Sequence, residues 1–286
     1  MADTADIERK MFDLPYARLS PAQALDVYWP PEGNGPFPVI ISIHGGAFMG
    51  GDKRDVQVTP MLAGLDRGYA VVSINYRMSG EALFPALVYD VKAAIRWMRA
   101  NAAAFLFDPG HLAAWGGSAG GYLALMAGVT AGVPDLEDLA LGNPDQPCHV
   151  QAVVDWFGPT DFLKMDEQLA ESGLAPAPEF AHSGANSPES LLLGRKITEI
   201  PQLVKAANPE TYLHAGAPPI LIQHGDRDDT VPYQQSANFA AKARSLLGSE
   251  KVMLELLPGA RHADPAFAAT QNIQKVLAFL DQTLRA

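Results

Sequence analysis

One serine is set among glycines where a short apolar run ends. Residues 111–121 read His-Leu-Ala-Ala-Trp-Gly-Gly-Ser-Ala-Gly-Gly, which predicts a strand, a tight turn and a helix. Gly116, Ser118 and Gly120 match the Gly-x-Ser-x-Gly pattern of a nucleophile elbow, in which a strained turn exposes the serine hydroxyl at the end of a strand. The helix that follows would direct its N-terminal N–H groups toward the serine. This stretch therefore predicts a site for acyl transfer.

Two alternatives compete with that interpretation of the serine turn. Glycine-rich turns with a serine between a strand and a helix are common, and the five-residue pattern also recurs by chance. A phosphate-binding loop is the other functional interpretation, but the stretch has no Gly-Lys-Ser/Thr ending and no Gly-x-Gly-x-x-Gly spacing with an acid downstream. Nucleotide binding is therefore set aside.

A serine nucleophile at neutral pH needs a base, and the base needs an acid to orient it. His262 follows the last predicted strand in a glycine-containing loop and is the best placed histidine for the base. For the acid, the loop after His224 offers three aspartates: Asp226, Asp228 and Asp229. The chain order serine, acid, histidine is that of α/β-hydrolases, but spacing does not separate the three, and acids also serve turn formation.

The other six histidines are assigned structural or surface roles. His44 and His224 stand at the ends of predicted strands, where we expect them to fix loops by hydrogen bonding. The remaining four have no supporting pattern: His111, His149, His182 and His214.

A further glycine pair follows an early predicted strand, in the stretch His-Gly-Gly-Ala-Phe at 44–48. A loop in this place can aim consecutive backbone N–H groups at the oxyanion of a tetrahedral intermediate, beside the N–H of Ala119. His-Gly-Gly is a weak motif by itself. Together and in order with the serine turn, the aspartate loop and the His262 loop, it favours a serine hydrolase.

Composition bounds the class of protein. The chain has 286 residues, 48% of them hydrophobic and 19% charged, which suits one large globular domain. The formal net charge of -11 disfavours a nucleic-acid surface. Cys148 has no cysteine partner and no zinc-ligand neighbours, so we expect a buried or loop thiol and not a reactive one. A charged start and no long apolar run predict a soluble, cytoplasmic protein without a membrane partner.

Apolar, β-branched runs alternate with helical periodicity along the chain. Strands are predicted at 24–29, 39–43, 69–75, at the run that ends in the serine turn, and at 150–157, 219–223 and 252–257. Helices are predicted at 85–104, 119–129, 234–247 and 265–284. This alternation predicts an α/β protein with a mostly parallel central sheet and helices on both faces, whose functional groups collect at the carboxyl ends of the strands.

Residues 161–216 interrupt the alternation, since they are rich in Pro, Ala, Ser and Gly. The segment lies between two strands whose carboxyl ends should border the serine, so we predict a partly helical cap, inserted in a single domain 1–286 and folded over the site. The alternative is a surface excursion unrelated to substrate. Phe48 outside the segment is expected to wall the substrate pocket. Some of the apolar residues within the segment are expected to do the same: Phe162, Leu163, Met165, Phe180 and 191–193.

With these motifs in place, the sequence resembles α/β-hydrolase esterases, specifically the bacterial esterases related to hormone-sensitive lipase and to bifunctional feruloyl and acetyl-xylan esterases. The likeness is carried by residues 44–48, 116–121, 224–232 and 259–262. In that group the acid is the aspartate of a His-Gly-x-x-Asp-x-x-Val-Pro pattern, a position that Asp228 occupies here. The resemblance also assigns the oxyanion donors to three backbone N–H groups, those of Gly46, Ala47 and Ala119.

The resemblance implies an α/β-hydrolase fold and a serine esterase that needs no cofactor or metal. Ser118 would attack an ester carbonyl, His262 would take the proton, and Asp228 would orient the imidazole. The implied substrates are esters of short acyl groups or small aromatic acids, including feruloyl or acetyl esters of sugars, and a homodimer is the candidate assembly. An amidase, formamidase or peptidase of the same fold stays open, as does a non-catalytic ligand-binding protein. Relatives often have a small residue beside the catalytic histidine, where this chain has the bulky Arg261, so the size of the substrate stays open.

Overall fold

The structure, a computed structural model, describes residues 1–174 and 181–285. The described residues form one eight-stranded sheet in the order β1-β2-β4-β3-β5-β6-β7-β8. The strands are β1 (Lys10–Pro15), β2 (Ala24–Tyr28), β3 (Phe37–Ile43), β4 (Ala70–Ile74), β5 (Phe107–Gly117), β6 (Ala152–Trp156), β7 (Ile220–Gly225) and β8 (Val252–Leu257). The first two strands pair antiparallel, and β3 to β8 are parallel. The predicted mostly parallel sheet is confirmed.

Helices connect the strands. The α-helices are α1 (Thr59–Leu62), α2 (Ala86–Ala100), α3 (Ala102–Phe105), α4 (Ala119–Val129), α5 (Met165–Glu171), α6 (Pro188–Leu193), α7 (Pro201–Ala207), α8 (Gln234–Leu247) and α9 (Thr270–Leu284). Short 3-10 helices lie at Val56–Val58, Leu65–Arg67, Pro134–Leu136, Leu139–Leu141, Phe162–Lys164, Ile197–Glu199, Pro209–Tyr212 and Pro265–Ala268. The helices predicted at 119–129 and 234–247 have the same bounds as α4 and α8 in the structure.

Two predicted helices differ from the structure, and β1 was not predicted. The helix expected at 85–104 divides at Asn101, whose side chain donates to the carbonyl of Trp97 at 2.8 Å and closes α2. The helix expected at 265–284 begins at Thr270, because Asp264 caps a separate 3-10 turn by accepting the N–H of Ala266. Strand β1 is largely exposed and pairs only with β2, so no buried pattern marks it in the sequence.

Apolar side chains cover both faces of the sheet. One core cluster takes its side chains from α2, α4 and α8, and the other from α1 and α9. Every residue of α4 is buried, which suits its uniformly apolar sequence. The helix that follows the serine is therefore enclosed between the sheet and its neighbours, and it fixes the serine turn rigidly.

The described part of segment 161–216 contains α5, α6 and α7, so the expected helical content is present. Its apolar side chains join the same core cluster as α4: Phe162, Met165, Leu192, Ile197 and Val204. The hydroxyl of Tyr122 in α4 donates to the carbonyl of Ala207 at 2.8 Å. The segment is thus packed onto the body of the protein, while its action as a cap stays a prediction.

Two further predictions, on the Cys148 thiol and on membrane-spanning helices, can be compared with the structure. Cys148 is buried as expected, and burial raises the pKa of its thiol. Within residues 1–174 and 181–285, no helix combines the length and the apolar character that crossing a bilayer requires.

Candidate active site

Ser118 occupies the sharp turn between β5 and α4. Its backbone has φ 56° and ψ -123°, a strained conformation for a residue with a side chain. A Cβ on Gly116 would lie 2.3 Å from the backbone of Gly120, and a Cβ on Gly120 would lie 2.0 Å from the carbonyl oxygen of Ile43. The N–H of Ser118 donates to the carbonyl of Trp156 at 2.8 Å. The predicted strand, turn and helix are present, and both glycines are required sterically.

Three side chains that are far apart in sequence meet at this turn. Nε2 of His262 lies 3.1 Å from Oγ of Ser118, and Nδ1 lies 2.8 Å from Oδ2 of Asp228. A carboxylate only accepts, so Nδ1–H donates to Asp228 and Nε2 is left to accept the serine proton. The imidazole is 19% exposed, whereas the carboxylate has no exposed surface. The geometry selects Asp228 among the three aspartates of its loop.

The Asp228 carboxylate is surrounded by donors. Oδ1 accepts the N–H groups of Thr230 and Val231, each at 2.9 Å. Oδ2 lies 3.3 Å from Nε2 of His224 in addition to its contact with His262. Burial acts to raise the pKa of Asp228, but the hydrogen bonds from the two histidines outweigh it and hold the pKa well below the usual range. The lowered pKa favours the anionic form of the carboxyl that faces His262.

The other two aspartates of the loop hold the His262 loop from outside. Oδ1 of Asp226 accepts the N–H of Gly259 at 2.7 Å. The carboxylate of Asp229 pairs with the guanidinium of Arg261, whose side chain is 68% exposed. The loop 224–232, called the acid loop below, and the loop 258–262, called the histidine loop, are therefore joined at two further points beside the Asp228–His262 contact.

His44 and His224 fix loops, as predicted. Nδ1 of His44 lies 2.8 Å from the carbonyl oxygen of Gly45, and its ring stacks on Tyr76 with centroids 4.5 Å apart. Nδ1 of His224 lies 2.7 Å from Oγ of Ser236, and Nε2 lies 2.8 Å from the carbonyl oxygen of Val231.

The loop after β3 lies directly against the serine. A Cβ on Gly45 would come within 3.2 Å of Cβ of Ser118. Gly46 and Ala47 both have positive φ, at 123° and 54°, so Ala47 adopts a conformation that glycine would adopt without strain. In residues 1–174 and 181–285, the N–H groups of Gly46 and Ala47 donate to no protein acceptor. Together with Ala119, the first residue of α4, they are the predicted oxyanion donors.

Sequence reasoning did not single out Phe157, which supports the imidazole. Its ring packs edge-on against His262 with centroids 4.9 Å apart, and against Phe267 at 4.5 Å. Phe157 has φ 46°, an uncommon conformation for an aromatic residue. A large side chain between a buried strand and a glycine was the signal available in the sequence.

A second buried carboxylate lies behind the serine turn. Asp155 in β6 is 0% exposed, and its Oδ1 accepts the N–H of Gly158 at 2.9 Å. Its Oδ2 has no hydrogen-bond partner among the described residues. Burial raises the pKa of Asp155 from 3.8 to about 7. The acid in an otherwise apolar strand was visible in the sequence, but it was not singled out.

The residues expected to wall the pocket differ in exposure. Phe48, Phe162 and Met165 are 2%, 1% and 0% exposed, whereas Leu163 and Leu191 are 38% and 40% exposed. Phe48 and Phe162 pack on Tyr122 with ring centroids 5.4 and 5.5 Å apart. The three buried side chains do not face solvent in this conformation, so their effect on substrate choice stays a prediction. Phe180 lies outside the described residues.

Comparisons with known proteins agree with this geometry. The family model described as BD-FAE matches residues 25–243. The chain belongs to the BD-FAE family. The predicted relationship to this group of esterases and the predicted α/β-hydrolase fold are both confirmed.

This BD-FAE chain is similar to esterase LipQ of Mycobacterium tuberculosis, with 34% identity over 253 residues that cover 88% of this chain and 56% of LipQ. Among solved structures it is similar to a truncated form of a carbohydrate esterase from gut microbiota, at 34% identity and a TM-score of 0.88 over 100% of this chain and 99% of that one. A bifunctional GH43-CE protein of Bacteroides eggerthii matches at 32% identity and a TM-score of 0.85, over 99% of this chain and 36% of that one. The chain thus spans a little over half the length of LipQ.

Proposed function

We propose that this protein is a serine carboxylic-ester hydrolase. The observation that carries the proposal is the continuous relay from Oγ of Ser118 through His262 to Asp228, at 3.1 and 2.8 Å. It stands at a strained turn, against a loop with two unpaired N–H groups in the described chain. The chain's likeness to the esterase LipQ and to a carbohydrate esterase from gut microbiota supports the same reaction class.

In the proposed mechanism, Oγ of Ser118 attacks the ester carbonyl carbon while Nε2 of His262 takes its proton. The carbonyl oxygen becomes an oxyanion that accepts hydrogen bonds from the N–H groups of Gly46, Ala47 and Ala119. Collapse breaks the bond to the alcohol, which leaves with the proton from His262. Water, deprotonated by the same imidazole, then hydrolyses the acyl-enzyme. Asp228 stabilises the imidazolium at each stage, and no metal or cofactor is required.

The proposed substrates are small-molecule esters of short acyl groups or small aromatic acids, among them acetyl or feruloyl esters of sugars. Support comes from the name carbohydrate esterase, which belongs to the solved structure that this chain matches over 100% of its length.

Replacing the nucleophile tests the proposal. Ser118→Ala should abolish ester hydrolysis without unfolding the protein, because it removes one partly exposed oxygen and leaves the core unchanged. The loss expected for a missing triad member is about 10⁶-fold in kcat. The measurement is p-nitrophenyl acetate turnover beside the thermal midpoint, and a folded variant that keeps more than a small percentage of activity would refute the assignment.

A substrate panel separates the proposed esterase from its rivals. It contains p-nitrophenyl esters of increasing acyl length, acetylated xylo-oligosaccharides, methyl ferulate and the matching anilides. Ester hydrolysis should exceed anilide hydrolysis. Faster anilide cleavage would favour an amidase or peptidase, and hydrolysis of none would favour a ligand-binding protein.

The proposed pocket wall is tested by truncating Met165. Met165→Ala should change the preference between acetate and longer acyl esters by about 1 to 3 kcal/mol, since the side chain supports the wall from a fully buried position. The cavity should also lower the free energy of unfolding by about 2 to 5 kcal/mol. Equal effects on kcat/KM for every ester would indicate a role in folding alone.

A further inference from the structure

His182 joins segment 161–216 to the loop that carries the proposed catalytic acid. Its side chain is 10% exposed, and both ring nitrogens are hydrogen-bonded. Nε2 lies 2.8 Å from the carbonyl oxygen of Thr230, two residues after Asp228. Nδ1 lies 3.0 Å from Oε1 of Glu189, a buried carboxyl in α6. The ring therefore bridges the segment and the acid loop.

The backbone beside His182 is held as well. The N–H groups of His182 and Ser183 donate to the two carboxylate oxygens of Asp166 in α5, at 2.7 and 2.8 Å. The ring is therefore supported from two helices of the segment while its far edge contacts Thr230.

Both groups that face the ring of His182 are hydrogen-bond acceptors. A carbonyl oxygen carries no proton, so Nε2 must donate to Thr230, while Nδ1 faces the Glu189 carboxyl. The pair therefore holds one proton more than a neutral imidazole beside a carboxylate. Burial lowers the pKa of His182, but Glu189, the Thr230 carbonyl and Asp166 outweigh it, and the net pKa lies above its ordinary value.

His182 holds the peptide unit that joins Thr230 to Val231. The carbonyl of Thr230 accepts from His182, and the N–H of the same unit, that of Val231, donates to Oδ1 of Asp228 at 2.9 Å. The N–H of Thr230, in the preceding unit, donates to the same oxygen at 2.9 Å. The carbonyl of Val231, in the following unit, accepts from His224 at 2.8 Å. Two buried histidines thus fix consecutive peptide units beside one carboxylate.

We propose that His182, paired with Glu189, is a positioning residue for the relay of Ser118, His262 and Asp228. It holds the Thr230–Val231 peptide unit and, through the N–H of Val231 in that unit, the direction of the Asp228 carboxylate. It touches none of the reacting atoms. Because this role serves the proposed ester hydrolysis, it rests on that function.

The shared proton makes the positioning dependent on pH. Groups that face His182 are Glu189 from α6 and Asp166 from α5, with Asp228 and His224 behind Thr230 in the acid loop. Once the extra proton is lost, the neutral ring can donate to only one of its two acceptors, and the carboxylate of Glu189 competes for it. The contact with Thr230 is complete below the raised pKa and is lost as pH rises through it, so kcat should fall on the alkaline side.

Substitutions at Glu189 and His182 distinguish the effect of the extra proton on this pair from the effect of the hydrogen bond between His182 and Thr230. In Glu189→Gln, the amide can donate to Nδ1 of a neutral imidazole whose Nε2–H still donates to Thr230. This variant should keep kcat at neutral pH and lose the alkaline decline. Adding His182→Phe to it removes the donor without leaving a buried charge unpaired. The double variant should lose about ten- to hundredfold in kcat, as small misplacements of catalytic groups do, with KM for p-nitrophenyl acetate changed much less.

Ser172→Ala is the matched control. It removes a 2.7 Å hydrogen bond that Gln234 in α8 donates to the same segment, and neither residue of that bond lies in the loop 224–232 that carries Asp228. Its kcat and pH profile should equal those of the unmodified protein.

The outcomes are distinguishable. A folded double variant with unchanged kcat would overturn the positioning role. An unchanged alkaline decline of kcat in Glu189→Gln would overturn it as well. This second result tests the role even if the double variant fails to fold. Nitrogen NMR titration of the histidines gives a readout without substrate, in which His182 should titrate above its ordinary pKa only while Glu189 is present. Activity that survives in Ser118→Ala would instead refute the proposed function and leave that titration unaffected.

Discussion

Two buried aspartates near the serine are equally removed from solvent but differ in their hydrogen-bond partners and in their pKa. Asp155 in β6 is 0% exposed and Asp228 after β7 is 2% exposed. Asp155 accepts one hydrogen bond, from Gly158, and burial raises its pKa to about 7. Asp228 has two backbone N–H groups on one oxygen and two histidines on the other, and its pKa lies well below the usual range.

The comparison shows that partners, and not depth, decide whether a buried carboxyl is an anion. Removal from water opposes charge at both positions. The loop after β7 and the two histidines replace the lost water with four donors around Asp228, whereas Asp155 has one donor among the described residues, and the four are in place before any substrate arrives. That is the property an acid needs if it is to stabilise an imidazolium without taking its proton.

The largest effect is expected from removing the charge of Asp228. Asp228→Asn should lower kcat by about 10⁴-fold, because the amide cannot hold the imidazole in the tautomer that accepts the serine proton. Steady-state kinetics on p-nitrophenyl acetate measure this. Asp226→Asn and Asp229→Asn are controls in the same loop and should be much milder, since their side chains contact the histidine loop and not His262. The opposite ranking would assign the acid to a neighbour.

The next effect concerns stability and Asp155. A folded-state pKa raised from 3.8 to about 7 means that the folded protein keeps a proton that the unfolded chain releases. The stability contributed by this group is present below pH 4 and is lost as pH rises to 7, by about 4 kcal/mol in total for a shift of about three units.

Urea unfolding of the wild type and of Asp155→Asn at pH 4 to 8 measures this contribution. The variant should gain stability relative to the wild type across that window, because the amide does not titrate. A constant difference in the free energy of unfolding would show that Asp155 does not carry the raised pKa.

The smallest effect comes from weakening one partner of Asp228. His224→Asn keeps a polar group near Ser236 but removes the contacts of Nε2, whereas His224→Gln places an amide near the Nε2 position. Losing that donor should raise the pKa of Asp228, but from a value well below the usual range, so the carboxylate stays ionised at pH 5 and above and only its orientation weakens. We expect a reduction of about tenfold or less in kcat at neutral pH for the Asn variant, as for other small misplacements of a catalytic group. Equal kcat in the two variants would show that the neighbouring N–H groups suffice.

Much of the site could be predicted from the sequence because its signals are local. The serine turn must have glycine where a Cβ would meet backbone at 2.0 to 2.3 Å, so the spacing of Gly116, Ser118 and Gly120 is a direct consequence of sterics. Buried parallel strands are apolar throughout, so the predicted bounds of β3 agree closely with the structure. The edge strand β8 also has its predicted bounds, although only Val252 of its six residues is buried. The aspartate was not fixed by spacing, and the resemblance to known esterases was needed to select Asp228 before its contact with His262 was seen.

The sequence by itself determined the order of elements, the strained serine turn and the candidate set of acids and bases, since each depends on residues within a few positions of one another. Tertiary structure alone decided which buried carboxyl is charged and what the remaining histidines do. His182 has no motif around it, and its contacts with Glu189 and Thr230 depend on how segment 161–216 packs against the acid loop. The charge of a buried group depends on donors supplied by distant parts of the chain, and only the folded protein brings those donors together.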